Sequence, residues 1–373
     1  MQKKKGKIGV RGAFLMLLLI IYSPAVRLFP SQVSKIAGQA GWLCPVVAAI
    51  AFVYYIRQLN VLLNAYPGLS LLEIFEKITG KIISKGLAVC YLLYLFIINS
   101  FDLKYYGERL AATIYPNTDN RILMVIMIVL VAYTLKSGLV IISRMSEFFF
   151  WIIIVVFSVL TLLLLPNVTL DKLTPISYLD ILPVMQGSLP LISIWSYLTY
   201  ILFMSDNMVG FDKFKKQGYQ SAGILFFSVT LLLVTSIGTI GSYILSNAYI
   251  PYLNSVEPII LLQSVSGLES VLVTTWILAD YGLLAILLLS FLKILNYIFN
   301  IKDTSLYINI LSITIYFGAR LLASNIYELV EFSTKIGLYI ILVLCFIIPI
   351  LMSWIYMLKT KTKKMLVKAG KNN

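Results

Sequence analysis

Runs of about 20 apolar residues recur along the whole chain, and short polar segments separate them. As α-helices, which rise ~1.5 Å per residue, such runs cross a hydrocarbon layer of ~30 Å. The pattern predicts an all-α integral membrane protein, in which residues 1–373 form a single polytopic domain of ten transmembrane helices. The predicted spans are 12–30, 40–58, 82–113, 121–138, 147–166, 181–208, 221–247, 267–299, 304–324 and 334–358.

The composition agrees with this class, because 60% of the 373 residues are hydrophobic and only 12% are charged. The chain has no histidine, which removes the most common general base and metal ligand. Its cysteines, Cys44, Cys90 and Cys345, lie in separate apolar runs and form no Cys-x-x-Cys pair. We therefore expect no catalytic residues, no metal site and no cofactor, and an enzyme is the least favoured class.

Lysine and arginine are distributed unequally between the two sides that ten spans create. One side, which includes both ends of the chain, holds 22 of the 30 basic residues. The positive-inside rule therefore predicts that both termini, with basic tails at 1–11 and 359–373, are cytoplasmic. The basic residues of the cytoplasmic segments account for the net charge of +14. We therefore expect the partner of this chain to be a lipid bilayer rather than nucleic acid.

Ten spans divide into two halves of five, a first repeat at about 12–166 and a second at about 181–358. An odd number of spans in each half makes the two halves enter the membrane in opposite directions, which is typical of inverted-repeat transporters. In such proteins spans 1 and 6 are broken helices that form a binding site near the membrane midplane. We therefore predict breaks in spans 1 and 6.

Polar residues and a proline interrupt the first span at about half its depth. Counted from the cytoplasmic edge at ~1.5 Å per residue, Tyr22, Ser23 and Pro24 lie near the midplane. Pro24 removes one backbone donor and frees carbonyl groups in the preceding turn, which favours a break. The alternative is a proline kink in a helix that continues. Arg27 is expected to extend to the outer membrane surface rather than to hold a ligand carboxylate.

Span 6 supplies a second group of polar residues at mid-depth, namely Ser193, Ser196, Tyr197 and Thr199 around Trp195. Two interrupted helices at corresponding positions of the halves favour a binding site over a simple kink. Serine and threonine hydroxyls also bond to carbonyl groups of their own helix, so the cluster by itself is weak evidence.

Spans 3 and 8 carry charged residues at membrane depth. Asn99 and Asp102 lie near the middle of span 3, and Asp280 lies near the middle of span 8. Carboxylates inside a membrane are candidates for function. The alternative is a structural ion pair, such as Asp280 with a lysine or arginine of a neighbouring helix. Lys104 and Glu108 are four residues apart and are predicted to pair on one helix face.

These residues predict one ligand pocket between spans 1, 3, 6 and 8. We expect Ser23 to face Ser196 and Thr199 across a cavity that Asp102 and Asp280 approach. Carbonyl groups at the break in span 1 suit an ammonium group, and N–H groups after it suit a carboxylate, so the pocket favours a zwitterion. The candidate ligand-binding residues are Tyr22, Ser23, Pro24, Asn99, Asp102, Ser193, Ser196, Tyr197, Thr199 and Asp280.

Three segments carry a resemblance to a known family: LFPSQVSKIAGQAGWL, YPGLSLLEIFEKITGKIISK and EPIILLQSVSGLESVLVTTWIL. The last segment is the most specific, because it ends on Glu269, Ser270 and Trp276. In these segments the chain resembles the spore germination permease family, the B-type integral subunits of nutrient germinant receptors. That family belongs to the amino acid–polyamine–organocation transporter superfamily. The chain departs from it by lacking glycines at the break in span 1 and by having Tyr197 and Thr199 where the family has glycine and glutamate.

The resemblance implies a leucine-transporter-like fold and a small nutrient ligand, often an amino acid. It further implies assembly with a membrane-embedded A-type subunit and a C-type lipoprotein in the inner spore membrane, where this chain triggers germination. It gives Glu269, Ser270 and Trp276 a structural or signalling role. The alternative function is a secondary amino acid permease coupled to H⁺ or Na⁺, which the fold does not distinguish from a receptor.

Overall fold

The computed structural model describes residues 6–248, 250–261, 268–301, 305–322 and 326–369. Within these ranges, helices lie at all ten predicted positions. Eight helical stretches are long and apolar enough to cross a membrane. The first stretch, Val10–Ala65, contains two successive helices, and Ser305–Leu321 is a slightly shorter apolar helix. The chain is therefore a multi-pass helical membrane protein, and the number of ten crossings stays a prediction.

The helices alternate with short turns throughout the described chain. The α-helices of the first half are α1 (Val10–Ala37), α2 (Cys44–Ala65), α3 (Leu71–Thr79), α4 (Lys81–Thr113), α5 (Asn120–Ser137) and α6 (Leu139–Leu164). Those of the second half are α7 (Ile181–Gly187), α8 (Leu189–Trp195), α9 (Leu198–Leu202), α10 (Phe214–Ile240), α11 (Ser242–Asn247), α12 (Pro251–Leu261), α13 (Leu268–Phe299), α14 (Ser305–Leu321), α15 (Ile326–Phe332), α16 (Leu338–Ile341) and α17 (Ile348–Ala369).

Several shorter elements connect these helices. The 3₁₀ turns are Gly38–Leu43, Leu165–Asn167, Leu170–Lys172, Tyr178–Asp180, Ser205–Asn207 and Phe211–Lys213. Two strands, β1 (Ile8–Gly9) and β2 (Met208–Val209), pair in parallel. This pairing joins the residues before α1 to the residues that follow the sixth predicted span.

Several predicted span boundaries are wrong by up to about two helical turns. Span 2, predicted at 40–58, is observed as α2, which ends at Ala65. Span 5, predicted to begin at residue 147, begins at Leu139 in α6. The polar residues that follow Leu139 continue the helix, because helical hydrogen bonding does not end where hydropathy falls.

The predicted break in the first span is wrong, because α1 continues from Val10 to Ala37 through Pro24 and Pro30. Each proline removes one N–H group, which frees the carbonyl group four residues earlier. Ile20 and Val26 carry these carbonyl groups, and both residues are buried inside the protein. A helix tolerates proline in a membrane where neighbouring helices shield the freed groups. The alternative, a helix that continues past the proline, describes α1.

The predicted interruption of span 6 is confirmed. The chain forms α7, α8 and α9 in succession, with turns at Ser188 and at Ser196–Tyr197. Side-chain bonds accompany the second turn: Ser193 Oγ donates to the Pro190 carbonyl at 2.8 Å, and Ser196 Oγ donates to the Ser193 carbonyl at 2.6 Å. Such local bonds compete with regular helical hydrogen bonding.

The last predicted span contains two π-helical segments, Ser333–Gly337 and Leu342–Ile347, which separate α15, α16 and α17. A π turn pairs each carbonyl with the N–H five residues later and widens the helix locally. Pro349, at the start of α17, has no N–H group for either Leu344 or Cys345. The carbonyl groups of these two residues therefore need donors from side chains.

Helix α1 occupies the centre of the molecule. It packs against α6, α10, α11 and α13 and also contacts α7 and α8. Met16, Leu17, Leu19 and Ile20 have no solvent-exposed surface. Any displacement of α1 therefore changes its contacts with most of the helices around it.

Candidate ligand-binding site

Four charged side chains lie inside the helix bundle and form two ion pairs. Arg27 of α1 pairs with Asp102 of α4, with 2.6 Å between Nη2 and Oδ1. Arg109 of α4 pairs with Asp280 of α13 through Nη2 and Oδ2. All four side chains are more than nine-tenths buried, so each charge depends on its partner for stabilisation.

The spacing along two helices brings the pairs together. Ser23 and Arg27 are four residues apart on α1, so they share one face of that helix. Ser23 Oγ donates to Asp280 Oδ1, while Arg27 binds Asp102. Asp102 and Arg109 are two turns apart on α4 and share a face as well. One face of α1 is therefore fixed to both α4 and α13. We call Ser23, Arg27, Asp102, Arg109 and Asp280 the ionic cluster.

Aromatic rings enclose the two guanidinium groups. The Arg27 Cζ atom lies 4.4 Å from the centre of the Tyr105 ring, and the Arg109 Cζ atom lies 4.6 Å from the ring centre of Trp276. Cations are attracted to the faces of such rings, which helps to stabilise the two buried charges. Trp276 thus contributes to the ionic cluster, whereas Ser270 is exposed and the side chain of Glu269 lies outside the described residues.

The structure corrects the expectation for Arg27 and shows which residues pair with Asp280 and with Lys104. Arg27 does not extend to the membrane surface, because Asp102 of α4 holds it inside the bundle. For Asp280 the sequence left two possibilities, a functional carboxylate or a structural ion pair. The structure shows the ion pair, with Arg109 of α4 as the partner. The predicted pair of Lys104 and Glu108 is confirmed, with 2.9 Å between Nζ and Oε1.

A cavity of about 40 Å³ lies beside the Arg27–Asp102 pair. Its polar lining comes from α1, α4, the interrupted span 6 and the first π segment: Arg27, Gln32, Tyr94, Asp102, Ser193, Tyr197 and Ser333. Aliphatic and aromatic side chains form the remainder of the wall. A cavity of this size holds a few water molecules, because one water needs roughly 10–15 Å³ of such volume.

Three buried polar atoms of residues that line this cavity have no hydrogen-bond partner among the described residues. They are Arg27 Nε, Gln32 Nε2 and Asp102 Oδ2, two donors and one acceptor. Buried polar atoms without partners are uncommon in proteins, and they indicate a place that water or a ligand occupies. No cluster of three or more cysteine or carboxylate residues that could hold a metal ion occurs in the described part of the chain.

The predicted pocket residues fall into separate places. Asp102, Ser193 and Tyr197 line the cavity, whereas Ser23 and Asp280 belong to the ionic cluster beside it. Pro24 lies inside α1, and Tyr22 OH is 3.2 Å from Thr275 Oγ1 of α13. Two side chains bond to carbonyl groups of their own span: Asn99 Nδ2 donates to Leu95, and Ser196 Oγ donates to Ser193. Thr199 Oγ1 donates to the carbonyl group of Cys345 in the last span. Their role in ligand binding stays a prediction.

The expectation that Ser23 faces Thr199 across a cavity is wrong. Thr199 is fully buried, but its Oγ1 donates to the Cys345 carbonyl at 2.7 Å and lies 2.5 Å from Tyr55 OH. Tyr55 OH also donates to the Cys345 carbonyl at 2.8 Å. The reason is the missing N–H of Pro349, since it leaves carbonyl groups that attract hydroxyl donors from other helices.

Tyr91 and Tyr94 of α4 complete this second group of polar residues. Tyr91 OH donates to the Leu344 carbonyl, and Tyr94 OH donates to the Gly337 carbonyl at 3.0 Å. We call Tyr55, Tyr91, Tyr94 and Thr199 the hydroxyl cluster. The hydrophobic and polar pattern of the sequence did not point to these tyrosines, nor to Arg109 and Gln32 as residues of the candidate site. Pro349 was the available signal, because a proline inside a span requires substitute donors.

Comparisons with known proteins agree with this architecture. The profile of a family described as spore germination protein matches residues 7–327. Spore germination protein KB of Bacillus subtilis (strain 168) is 22% identical over 262 residues, which cover 69% of each chain. Spore germination protein YndE of the same organism is 20% identical over 182 residues, or 48% of this chain and 50% of that one.

A solved structure, the crystal structure of MhsT in complex with L-phenylalanine, superposes with a TM-score of 0.64 at 14% identity. The superposition covers 94% of this chain and 99% of that chain. At this identity the likeness concerns the fold, which is leucine-transporter-like. Because the family profile covers most of the sequence, the chain belongs to the spore germination protein family.

Proposed function

We propose that this chain is the B-type subunit of a nutrient germinant receptor, which binds a small nutrient inside the membrane and triggers spore germination. The observation that carries the proposal is the ionic cluster, which fixes the central helix α1 to α4 and α13 through buried charges. Family membership and fold favour a receptor or a permease-like protein over an enzyme.

The mechanism is a shift between two arrangements of the helices. Breaking a buried ion pair by removing one partner costs about 3–5 kcal/mol, so the cluster holds α1 in one position while no ligand competes. A ligand that takes over one of these contacts favours the arrangement in which α1 and span 6 have moved against α4 and α13. The ligand needs a different affinity for the two arrangements, since equal affinity shifts no equilibrium.

Further subunits read this shift in the proposed receptor. They are an A-type membrane subunit and a C-type lipoprotein in the inner spore membrane, where both termini of this chain are cytoplasmic. The nutrient is an amino acid in this proposal, and its pocket draws on the predicted residues of α1, α4 and span 6. Glu269 belongs to helix α13, and in this proposal it has a structural or signalling role in the assembled receptor.

The test uses spores that lack this chain and spores complemented with the wild type. Germination, followed as loss of optical density of the suspension, should fail in response to one amino acid and return on complementation. A nutrient that acts through another receptor should work in both strains. The A-type and C-type subunits of the proposed receptor should also disappear from spore membranes when this chain is deleted. Unchanged germination with every amino acid would refute the proposal.

A secondary amino acid permease is the second candidate, because Asp102 and Asp280 are carboxylates inside the membrane and such groups serve proton coupling in transporters. Vesicles that contain this chain alone distinguish the two functions. Concentration of a labelled amino acid against its gradient, driven by H⁺ or Na⁺, would establish the permease. Ligand binding without concentration is the result expected for the receptor.

A further inference from the structure

We propose that a polar cavity at one end of α4, α5 and α14 binds the headgroup of an anionic phospholipid. The phosphate accepts hydrogen bonds from Lys104, Arg121 and Arg320, and hydroxyl groups of the headgroup donate to Glu108. A lipid at this place suits a receptor as well as a permease, so its binding does not depend on the proposed function.

The cavity lies where the C-terminal ends of α4 and α14 meet the N-terminal end of α5. Its volume of about 490 Å³ far exceeds that of the cavity beside the Arg27–Asp102 pair and lies in the range of small-molecule sites, roughly 300–1,000 Å³. Helix α4 has 33 residues and is therefore ~50 Å long, whereas the hydrocarbon layer is ~30 Å thick. Its end thus reaches the level of the lipid headgroups.

The charges of the cavity select an anion. Three cationic side chains and two carboxylates line it and give it a net charge of +1: Lys104, Glu108, Asp119, Arg121 and Arg320. Lys104 Nζ lies 2.9 Å from Glu108 Oε1, and Arg121 Nε lies 3.7 Å from Asp119 Oδ2. Arg320 is exposed and forms no ion pair with the described residues. A ligand with a single negative charge therefore balances the cavity.

The donors and acceptors of the cavity suit a phosphodiester that also carries hydroxyl groups. Guanidinium groups bind phosphate oxygens through two parallel hydrogen bonds, and a lysine adds a point charge. Glu108 Oε1 accepts from Lys104 Nζ and, at 2.6 Å, from Asn120 Nδ2. Glu108 Oε2 has no partner among the described residues, and an ionised carboxylate only accepts, so this oxygen suits a ligand hydroxyl. The headgroup of phosphatidylglycerol provides both the single negative charge and the hydroxyl groups.

Exposed apolar side chains continue from the two arginines along the helices, which favours a lipid over a free anion. Arg121 shares a face of α5 with Val125, four residues later. Arg320 shares a face of α14 with Phe317 and Ile313, three and seven residues earlier. These apolar side chains are between 42% and 58% exposed. Acyl chains joined to a headgroup in the cavity would cover them, whereas a free anion would not.

The first experiment titrates the purified full-length chain in a non-ionic detergent with phosphatidylglycerol and follows thermal unfolding. A ligand that binds the folded state raises the unfolding midpoint. Phosphatidylglycerol should raise it. Phosphatidylcholine with the same acyl chains should not, because its headgroup is zwitterionic and has no hydroxyl group. Glycerol 1-phosphate and inorganic phosphate, which carry the anion without acyl chains, should have no effect at the same concentrations.

Each other result of this series would overturn the proposal. Equal effects of the two lipids would mean that the headgroup is not recognised, and no effect of phosphatidylglycerol would mean that it does not bind. Stabilisation by glycerol 1-phosphate or inorganic phosphate at these concentrations would assign the cavity to a free anion.

The second experiment compares Arg320→Gln with Lys35→Gln. Arg320→Gln removes a cation of the cavity, so half-maximal stabilisation should need about a tenfold higher concentration of phosphatidylglycerol. Lys35 is a matched control, because it is exposed in the last turn of α1, as Arg320 is in α14, yet it does not line the cavity. Lys35→Gln should keep the wild-type affinity. A wild-type affinity of Arg320→Gln, or equal losses in both variants, would overturn the assignment to this cavity.

The lipid series with the wild-type protein decides the proposal even where a variant fails to fold. Its outcome is separable from that of the germination test, because lipid binding is measured on the purified chain and germination on spores. Unchanged germination after deletion would leave the expected selectivity for phosphatidylglycerol as it is.

Discussion

The ionic cluster and the hydroxyl cluster lie in one helix bundle, and they satisfy their polar atoms in different ways. In the hydroxyl cluster, the hydroxyl groups of Tyr55, Tyr91, Tyr94 and Thr199 each bond to a carbonyl group of the C-terminal span. In the ionic cluster, the Arg27–Asp102 pair leaves Nε and Oδ2 without partners among the described residues. The first cluster is complete without a ligand, and the second is not.

We propose that this difference separates a structural network, the hydroxyl cluster, from a functional one, the ionic cluster. The hydroxyl hydrogens of the hydroxyl cluster are already used in bonds to carbonyl groups, which stabilises one arrangement of the helices. Buried charges are weak contributors to stability, since a hydrophobic pair of similar volume is often at least as stable. Charges that also keep free donors and acceptors have bonding capacity left for a ligand, and we propose that the ionic cluster uses it. Four substitutions, two of them with control variants, test this distinction.

Asp280→Leu should produce the largest loss of stability. It leaves Arg109 charged and buried without its carboxylate, which costs about 3–5 kcal/mol. The free energy of unfolding of the purified chain in detergent measures the loss. The double variant Arg109→Met with Asp280→Leu removes both charges and should recover most of that stability. A double variant as unstable as the single one would show that the charges themselves hold the fold, contrary to the comparison.

Tyr91→Phe should have the next largest effect, at about 1–3 kcal/mol, because the Leu344 carbonyl loses the hydroxyl that replaces the missing N–H of Pro349. Tyr55→Phe is the matched control. Its acceptor, the Cys345 carbonyl, still has Thr199 as a donor, so the loss should be smaller. Denaturation of both variants under identical conditions measures the difference, and equal losses would contradict the role assigned to Pro349.

Much of the fold could be predicted from the hydrophobic pattern, because apolar runs of membrane length leave few choices other than helices. The interruption of span 6 was also predictable from its polar residues. The continuity of α1 could not be predicted in this way. A proline breaks some helices and is tolerated in others, depending on whether neighbouring residues bury the carbonyl groups that it frees. The neighbours that shield Ile20 and Val26 are distant in sequence.

The candidate site was predictable in its residue types and less so in its pairing. Intramembrane carboxylates pointed to Asp102 and Asp280, and both belong to the ionic cluster. The expectation that Arg27 extends to the membrane surface was wrong. An arginine near a helix end hydrogen-bonds to water at the surface unless another helix places a carboxylate within its reach. That carboxylate is 75 residues away along the chain. A single sequence carries no information on such packing.

Thr199→Val should cost about 1 kcal/mol, since it removes one hydroxyl while Tyr55 still donates to the Cys345 carbonyl. The amino acid concentration that gives half-maximal germination of spores should stay at the wild-type value. The sequence predicts instead that Thr199 is a ligand-binding residue, in which case its loss would weaken ligand binding. A tenfold loss of affinity in Thr199→Val would restore that expectation and place Thr199 in the ligand pocket.

Arg11→Met should have the smallest effect, although α1 carries Arg11 as well as Arg27. Arg11 Nη2 lies 3.5 Å from Glu147 Oε1, and both side chains are exposed, at 66% and 44%. Water stabilises each charge whether or not the partner is present, so the pair contributes about 0.2–1 kcal/mol. The contribution should fall as salt is raised from 0.01 M to 1 M, because the screening length shortens from about 30 Å to about 3 Å. The stability lost in Asp280→Leu should change much less with salt, because Arg109 is shielded from the ions. A loss for Arg11→Met as large as that for Asp280→Leu would mean that burial does not distinguish the ionic cluster from a surface pair.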